Sequence, residues 1–171
     1  MNGSPVTVRD LAVLGMMVAL LEASKRLLDN LPNVELITFL LIMFTIFFGK
    51  KVIAAAVAFT FLEIAWWGVH VWVIMYLYVW PLLILLTDRL HRRILARGET
   101  VSPAPFAALA AAFGLGFGAM CSLPYLAIGG PVMMFTWWVA GIPYDILHCI
   151  SNLLICLLLF RPVHAAMSRF V

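Results

Sequence analysis

The chain has 171 residues, of which 65% are hydrophobic and only 11% charged. A water-soluble domain of this size needs far more charge to cover its surface, so the apolar excess has to face lipid. The net charge of +3 does not point to nucleic acid, because the basic residues fall in short clusters between apolar runs, the pattern in which membrane topology is written. The first apolar run follows MNGSPVTVRD rather than a basic n-region and ends without a small-residue cleavage site, so no secretory signal is expected. Cys121, Cys149 and Cys156 are odd in number and sit within apolar runs, as buried hydrophobes rather than a disulfide or metal set.

A first span is expected over 8–28, stopped by Asp29-Asn30-Leu31-Pro32-Asn33. A second covers 34–48 and ends at Gly49-Lys50-Lys51; it is shorter than the ~20 residues usually needed to cross a bilayer. The third runs over 52–67, with Gly68-Val69-His70 as a tight connection, and the fourth over 71–90, with a kink expected at Pro81. Residues 96–105 form the polar linker. The fifth span is 106–123, broken by Pro124. Residues 132–140 are too short to cross alone, and read either as a re-entrant piece or as the start of a long bent sixth helix that continues over 143–160. The expectation is one all-α transmembrane domain over 1–171, a bundle of six helices without repeats.

Orientation follows from Lys and Arg. With the N-terminus inside, the inner side carries Arg9, Lys50, Lys51, Arg89, Arg92, Arg93, Arg97, Arg161 and Arg169, and the outer side only Lys25 and Arg26. This bias predicts both ends on the cytoplasmic side of a cell membrane.

The remaining polar residues then collect in the outer half. Glu22, Lys25 and Arg26 close span one, with Glu22 and Lys25 read as a local ion pair. Asn33 and Glu35 open span two, where they are either capping or solvated groups. Glu63 ends span three beside Trp66 and Trp67; His70, Trp72 and Tyr76 begin span four; Tyr125 ends span five. Asp145, His148 and Asn152 share one face at i, i+3 and i+7. The tryptophans, Trp137 and Trp138 included, also fit an interfacial belt. Ionisable groups within a bilayer cost at least a few kcal/mol unless paired or hydrated, so Glu63 and the Asp145 face mark a binding cavity.

Small residues form a second pattern. Ala12, Gly15, Ala19 and Ala23 recur at three- and four-residue spacing on span one, and span five is rich in alanine and glycine. Such ridges let helices approach closely, which suits packing inside the bundle or, for span one, docking of a partner. No phosphate-binding loop, His-Glu-x-x-His motif or Gly-x-Ser-x-Gly elbow is present, so neither a catalytic residue nor a metal site is expected.

Leu31-Pro32-Asn33-Val34-Glu35-Leu36-Ile37-Thr38 leading to Phe48-Gly49-Lys50-Lys51 resembles the second helix of substrate-capture subunits of energy-coupling factor (ECF) vitamin transporters. Tyr76-Leu77-Tyr78-Val79-Trp80 and Gly141-Ile142-Pro143-Tyr144-Asp145-Ile146-Leu147-His148 are similar to the same subunits. The Gly15/Ala19/Ala23 series resembles the Ala-xxx-Ala motif by which they dock, although many members have alanine at the position of Gly15. The resemblance covers nearly the whole chain. It implies that a vitamin is captured from outside and passed on through a transmembrane coupling protein driven by two ATPases, with ATP and Mg confined to those partners and no intrinsic cofactor. It further implies prokaryotic origin and a ligand site drawn from Asn33, Glu35, Trp67, His70, Trp72, Tyr76, Tyr125, Trp137, Trp138, Asp145, His148 and Asn152, together with Glu63. The motifs most resemble the cobalamin-type members; riboflavin, pantothenate, thiamine or a pyridoxine-like compound stay open. A membrane scaffold like the rod-shape-determining proteins is the competing expectation, as is an unrelated small transporter.

Overall fold

A computed structural model describes residues 7–170, and their regular structure is entirely helical. Helix α1 (Val8–Leu28) opens with a capping box, in which the Thr7 hydroxyl accepts from the Asp10 N–H at 3.1 Å and the Asp10 carboxylate accepts from the Thr7 N–H at 3.0 Å. After residues 29–36 come α2 (Ile37–Phe48), a 3-10 turn (Gly49–Lys51) and α3 (Val52–Trp67). A short α4 (Val71–Ile74) leads into α5 (Tyr76–Ala96), followed by α6 (Pro103–Leu115) and α7 (Phe117–Met167).

The last two elements are arranged differently from their chain labels. Only Gly116 separates α6 from α7, and inside α7 the backbone leaves helical geometry at Gly129 and Gly130. Gly130 has φ +76°, open to glycine without steric cost, and Pro131 restarts the helix with its φ already set. Residues 103–128 and 131–167 therefore form a long antiparallel hairpin. Its pairing falls in step along the two arms: Phe106 stacks on Phe160 at 5.4 Å, the Asn152 amide reaches the Ala110 carbonyl at 3.4 Å, and Tyr125 stacks on Trp137 at 4.7 Å. The arms approach closely because glycine leaves room: a Cβ on Gly114 would stand 2.9 Å from the His148 and Cys149 backbone.

Helix ends gather at two levels. At one level Lys51 lies 3.8 Å from Asp10, Lys50 lies 3.8 Å from Asp88, and Arg92 holds Asp88 at 3.0 Å; Phe47 meets His164 at 5.0 Å. Arg9, Arg89, Arg93 and Arg97 belong to the same end. At the other level the last turn of α1, the last turn of α3, the 29–36 connection and the start of α5 converge. Between them lies a core built around Leu21, Leu41, Ile42, Phe59, Trp80, Leu83 and Phe106, each at most 1% exposed.

Many large apolar side chains face outward, among them Leu11, Met16, Leu86, Leu154 and Leu158. Three stretches, Ile37–Trp67, Val71–Ala96 and Pro103–Met167, are long and apolar enough to cross a membrane. The protein is thus an all-helical chain of membrane-embedded character. Individually α2 is 12 and α3 16 residues long, about 18 and 24 Å at 1.5 Å per residue, against ~30 Å of hydrocarbon.

Several boundaries differ from those read in the sequence. The second helix starts at Ile37, because Asn33 takes a left-handed φ of +54° and the connection continues to Leu36. The fourth continues to Ala96, carrying its arginines on extra helical turns, and its interruption falls at Met75 while the helix continues through Pro81. The fifth passes Pro124 and reaches residue 128. Residues 132–140 are the first part of the long helix, not a re-entrant piece, since Pro124, Pro131 and Pro143 are all accommodated within helical geometry. Asp88, which ends the fourth span near the basic cluster, is 6% exposed and held by Arg92 and Lys50.

Candidate ligand-binding site

The polar level opposite the basic cluster is built from three charged groupings. The first centres on Glu63, which is 0% exposed at the end of α3. Its carboxylate pairs with the Lys25 ammonium, and its Oε1 accepts from Arg26 Nη2 at 2.9 Å. Arg26 also holds Glu22 at 2.5 Å, one turn back on the same helix. Glu22 therefore pairs with Arg26 and not with Lys25, as the i, i+4 spacing favours while Lys25 turns towards α3. Aromatic rings complete the cluster. Lys25 Nζ lies 4.7 Å from the ring centre of Trp72 and 5.3 Å from that of Tyr76, and the Arg26 guanidinium lies 5.1 and 5.2 Å from Trp66 and Trp67.

The second grouping ties the 29–36 connection to α7. Glu35 Oε2 accepts from the Thr38 N–H at 2.8 Å, satisfying one of the free amides that begin α2, and Oε1 meets His148 Nε2 at 3.0 Å. Asn33 donates its amide to the Tyr144 carbonyl at 3.0 Å, and the Ser151 hydroxyl donates to the Asn33 carbonyl at 3.0 Å. The third grouping is Asp145 with Gly118. The break at Gly116 leaves the Gly118 N–H without its usual helical partner, and Asp145 Oδ1 accepts from it at 2.8 Å. A Cβ on Gly118 would collide with that carboxylate.

Between these groupings lies a cavity of about 200 Å³, bounded by Lys25, Asn33, Glu35, Tyr76, Trp80, Phe117 and His148. Three of its lining residues carry buried polar atoms with no hydrogen-bond partner, Trp80 Nε1, His148 Nδ1 and Lys25 Nζ, the last ion-paired with Glu63; Trp80 is 1% and His148 2% exposed. A second cavity of about 280 Å³ lies at the opposite end among Ser102, Phe160, Arg161 and His164. It has no buried unpartnered polar atom, so the first is the better candidate for a specific ligand.

Of the residues picked from the sequence, Asn33, Glu35, Tyr76 and His148 line the cavity together. Glu63 and Trp72 stand behind it through Lys25, and Trp67 lies further out on Arg26. His70 stacks on Trp72, with ring centres 6.3 Å apart, and is exposed. Asp145 and Asn152 each use one polar atom within the hairpin, on Gly118 and Ala110, and each keeps a buried oxygen without a partner, outside the cavity lining. Tyr125, Trp137 and Trp138 lie roughly 10 Å beyond the Gly118–Asp145 level at 1.5 Å per residue, outside the lining. Lys25, Trp80 and Phe117 are lining residues that the sequence did not single out. Lys25 carried a signal, as one of only two cations at this end; Trp80 and Phe117 resemble core residues in any apolar run.

The small residues Ala12, Gly15, Ala19 and Ala23 are all exposed, because α1 packs through Met17, Leu21 and Ser24 instead. Nothing lies within 4 Å of a Cβ placed on Gly15. Among the described residues no three His, Cys, Asp or Glu side chains gather as metal ligands. No protein-family model, curated protein or solved structure matches this chain.

Proposed function

We propose that this chain is the substrate-capture subunit of an ECF-type vitamin importer in a prokaryotic cell membrane. It crosses the bilayer six times with both ends in the cytoplasm, takes a vitamin from outside, and hands it to a transmembrane coupling protein driven by two ATPases. The chain itself is not an enzyme in this reading; ATP and Mg belong to the partners.

The observation that carries the reading is the cavity between Glu35, His148, Tyr76 and Trp80, set at the level opposite the cluster of Lys50, Lys51, Arg89, Arg92 and Arg93. By the positive-inside bias that level faces outward. Two further features support it. The exposed Ala12, Gly15, Ala19 and Ala23 face gives a coupling protein a surface on which backbones can come close. The 29–36 connection covers the cavity using only side-chain hydrogen bonds to α7, contacts that can be exchanged for water when a ligand enters.

The test is purification from rich medium in mild detergent, followed by native mass and absorption spectroscopy. A bound vitamin is expected as an added mass, or as colour for a flavin or corrinoid. Ala19→Trp is expected to keep that ligand while losing co-purification with the coupling protein. A ligand-free protein that binds no added vitamin would overturn the reading.

A further inference from the structure

The cavity is small, and its chemistry is one-sided. An engineered apolar cavity of ~150 Å³ holds a benzene ring, and drug-sized ligands occupy ~300–1,000 Å³. About 200 Å³ accordingly accommodates one substituted ring and leaves no room for a fused tricycle or a macrocycle. Tyr76, Trp80 and Phe117 supply flat walls for such a ring.

Charge narrows the class further. Four carboxylates stand in or behind the lining, those of Glu22, Asp29, Glu35 and Glu63, against the two cations Lys25 and Arg26. Protonating His148 would still leave a negative excess. The charge of Lys25 is already paired with Glu63 and ringed by Trp72, Tyr76 and Phe59, so it gives an anion little net attraction. The free hydrogen-bonding atoms agree. Trp80 Nε1–H is a buried donor lacking an acceptor. In the tautomer whose Nε2–H donates to Glu35, the buried Nδ1 of His148 is an acceptor lacking a donor.

Building on the capture function proposed above, we infer that the cavity takes a single heteroaromatic ring that is cationic or bears an exocyclic amino group, and rejects carboxylates of the same size. An unprotonated ring nitrogen or other acceptor atom of the ligand accepts from Trp80 Nε1–H, the amino group donates to His148 Nδ1, and the Glu35 carboxylate balances the ligand's positive character. With the 29–36 connection in place, the cavity is too small for a corrin or a flavin ring.

The experiment titrates the full chain in detergent with four probes, followed by intrinsic tryptophan fluorescence and thermal shift. The probes are 4-amino-5-hydroxymethyl-2-methylpyrimidine, nicotinate, riboflavin and cyanocobalamin. The aminopyrimidine is expected to bind at least a hundredfold more tightly than nicotinate. Glu35→Gln is expected to weaken it roughly ten- to a hundredfold, the share of a charge-assisted hydrogen bond. Trp80→Phe keeps the aromatic wall and removes only the donor, so about tenfold weakening there tests the ligand's second contact with the same cavity should Glu35→Gln misfold. Equal or tighter binding of nicotinate, or binding of riboflavin or cyanocobalamin in preference, overturns the inference and leaves the capture function standing. Failure of all four probes also overturns the ring class, while the capture function is judged separately by the co-purified mass.

Discussion

Replacing Glu63 with glutamine tests whether the polar level around it is held by paired charges. Glutamine keeps the shape and an acceptor but removes the charge shared by Lys25 and Arg26. Arg26 loses little, since Glu22 stays at 2.5 Å and Asp29 at 3.9 Å. Lys25 loses its only carboxylate within ion-pair distance and keeps just the rings of Trp72, Tyr76 and Phe59. Breaking a buried pair costs about 3–5 kcal/mol, and the surviving cation–π contacts, worth ~0.5–2 kcal/mol, with 14% exposure of the Lys25 side chain, bring the expected loss to about 2–3 kcal/mol. For a chain of this length that is roughly a 5–10 °C fall in Tm, read from tryptophan fluorescence in one detergent. Lys25→Met is expected to cost less, because Glu63 keeps Arg26 at 2.9 Å. The double variant Lys25→Met/Glu63→Leu replaces the pair with apolar volume and is expected within about 1 kcal/mol of the parent. If the double variant loses the sum of the two singles, the side chains do not stabilise one another and the reasoning fails.

Gly114→Ala is expected to destabilise by about 1–3 kcal/mol in the same thermal assay, since its Cβ meets the His148 and Cys149 backbone at 2.9 Å, whereas Gly15→Ala on the open face of α1 is expected to be neutral or to stabilise by up to ~1 kcal/mol. Asp145→Asn keeps an acceptor for the Gly118 N–H and is expected to resemble the parent in Tm and ligand affinity. Asp145→Ala strands that buried donor and is expected to cost about 1–3 kcal/mol in thermal stability without a selective loss of ligand.

The ends of the first three helices were legible because local chemistry sets them: Asp29 to Asn33 cannot continue α1, and Gly49 and Gly68 stand directly after α2 and α3. The long hairpin was harder to read. Pro124, Pro131 and Pro143 signal breaks in water, but in an apolar setting the helix absorbs them and only Gly129-Gly130 turns the chain. Composition also placed the polar residues at one end. Their roles were not legible, because a carboxylate in a cavity and a carboxylate spent on a helix break look alike in one dimension. Asp145 serves Gly118, a partner 27 positions away, and Glu35 serves His148 across 113 positions. Glu35 and His148 were both picked out separately; what the sequence lacked was the 29–36 connection folding back to join them.

The position of the polar level along the hairpin explains why each of its carboxylates is held by a partner, even though carboxylates outnumber cations there. Between Glu99 and Asp145 the sequence contains no charged residue, and Leu126, Ile128, Val132 and Phe135 are exposed. From Gly118 to Ile128 the hairpin continues for ten residues, about 15 Å, past the level at which α1 and α3 end. The carboxylates therefore lie well inside the apolar extent of the chain, not at its rim, and an unmatched charge there would be costly. Glu63 meets Lys25 and Arg26, Glu35 meets His148, and Asp145 meets a backbone N–H. Beyond the ion-paired Lys25, the open hydrogen-bonding atoms on the cavity wall are Trp80 Nε1 and His148 Nδ1. A ligand held there would be chosen by shape, by where it places one donor and one acceptor, and by the excess of carboxylates around the cavity, in which the lining cation Lys25 is already paired with Glu63.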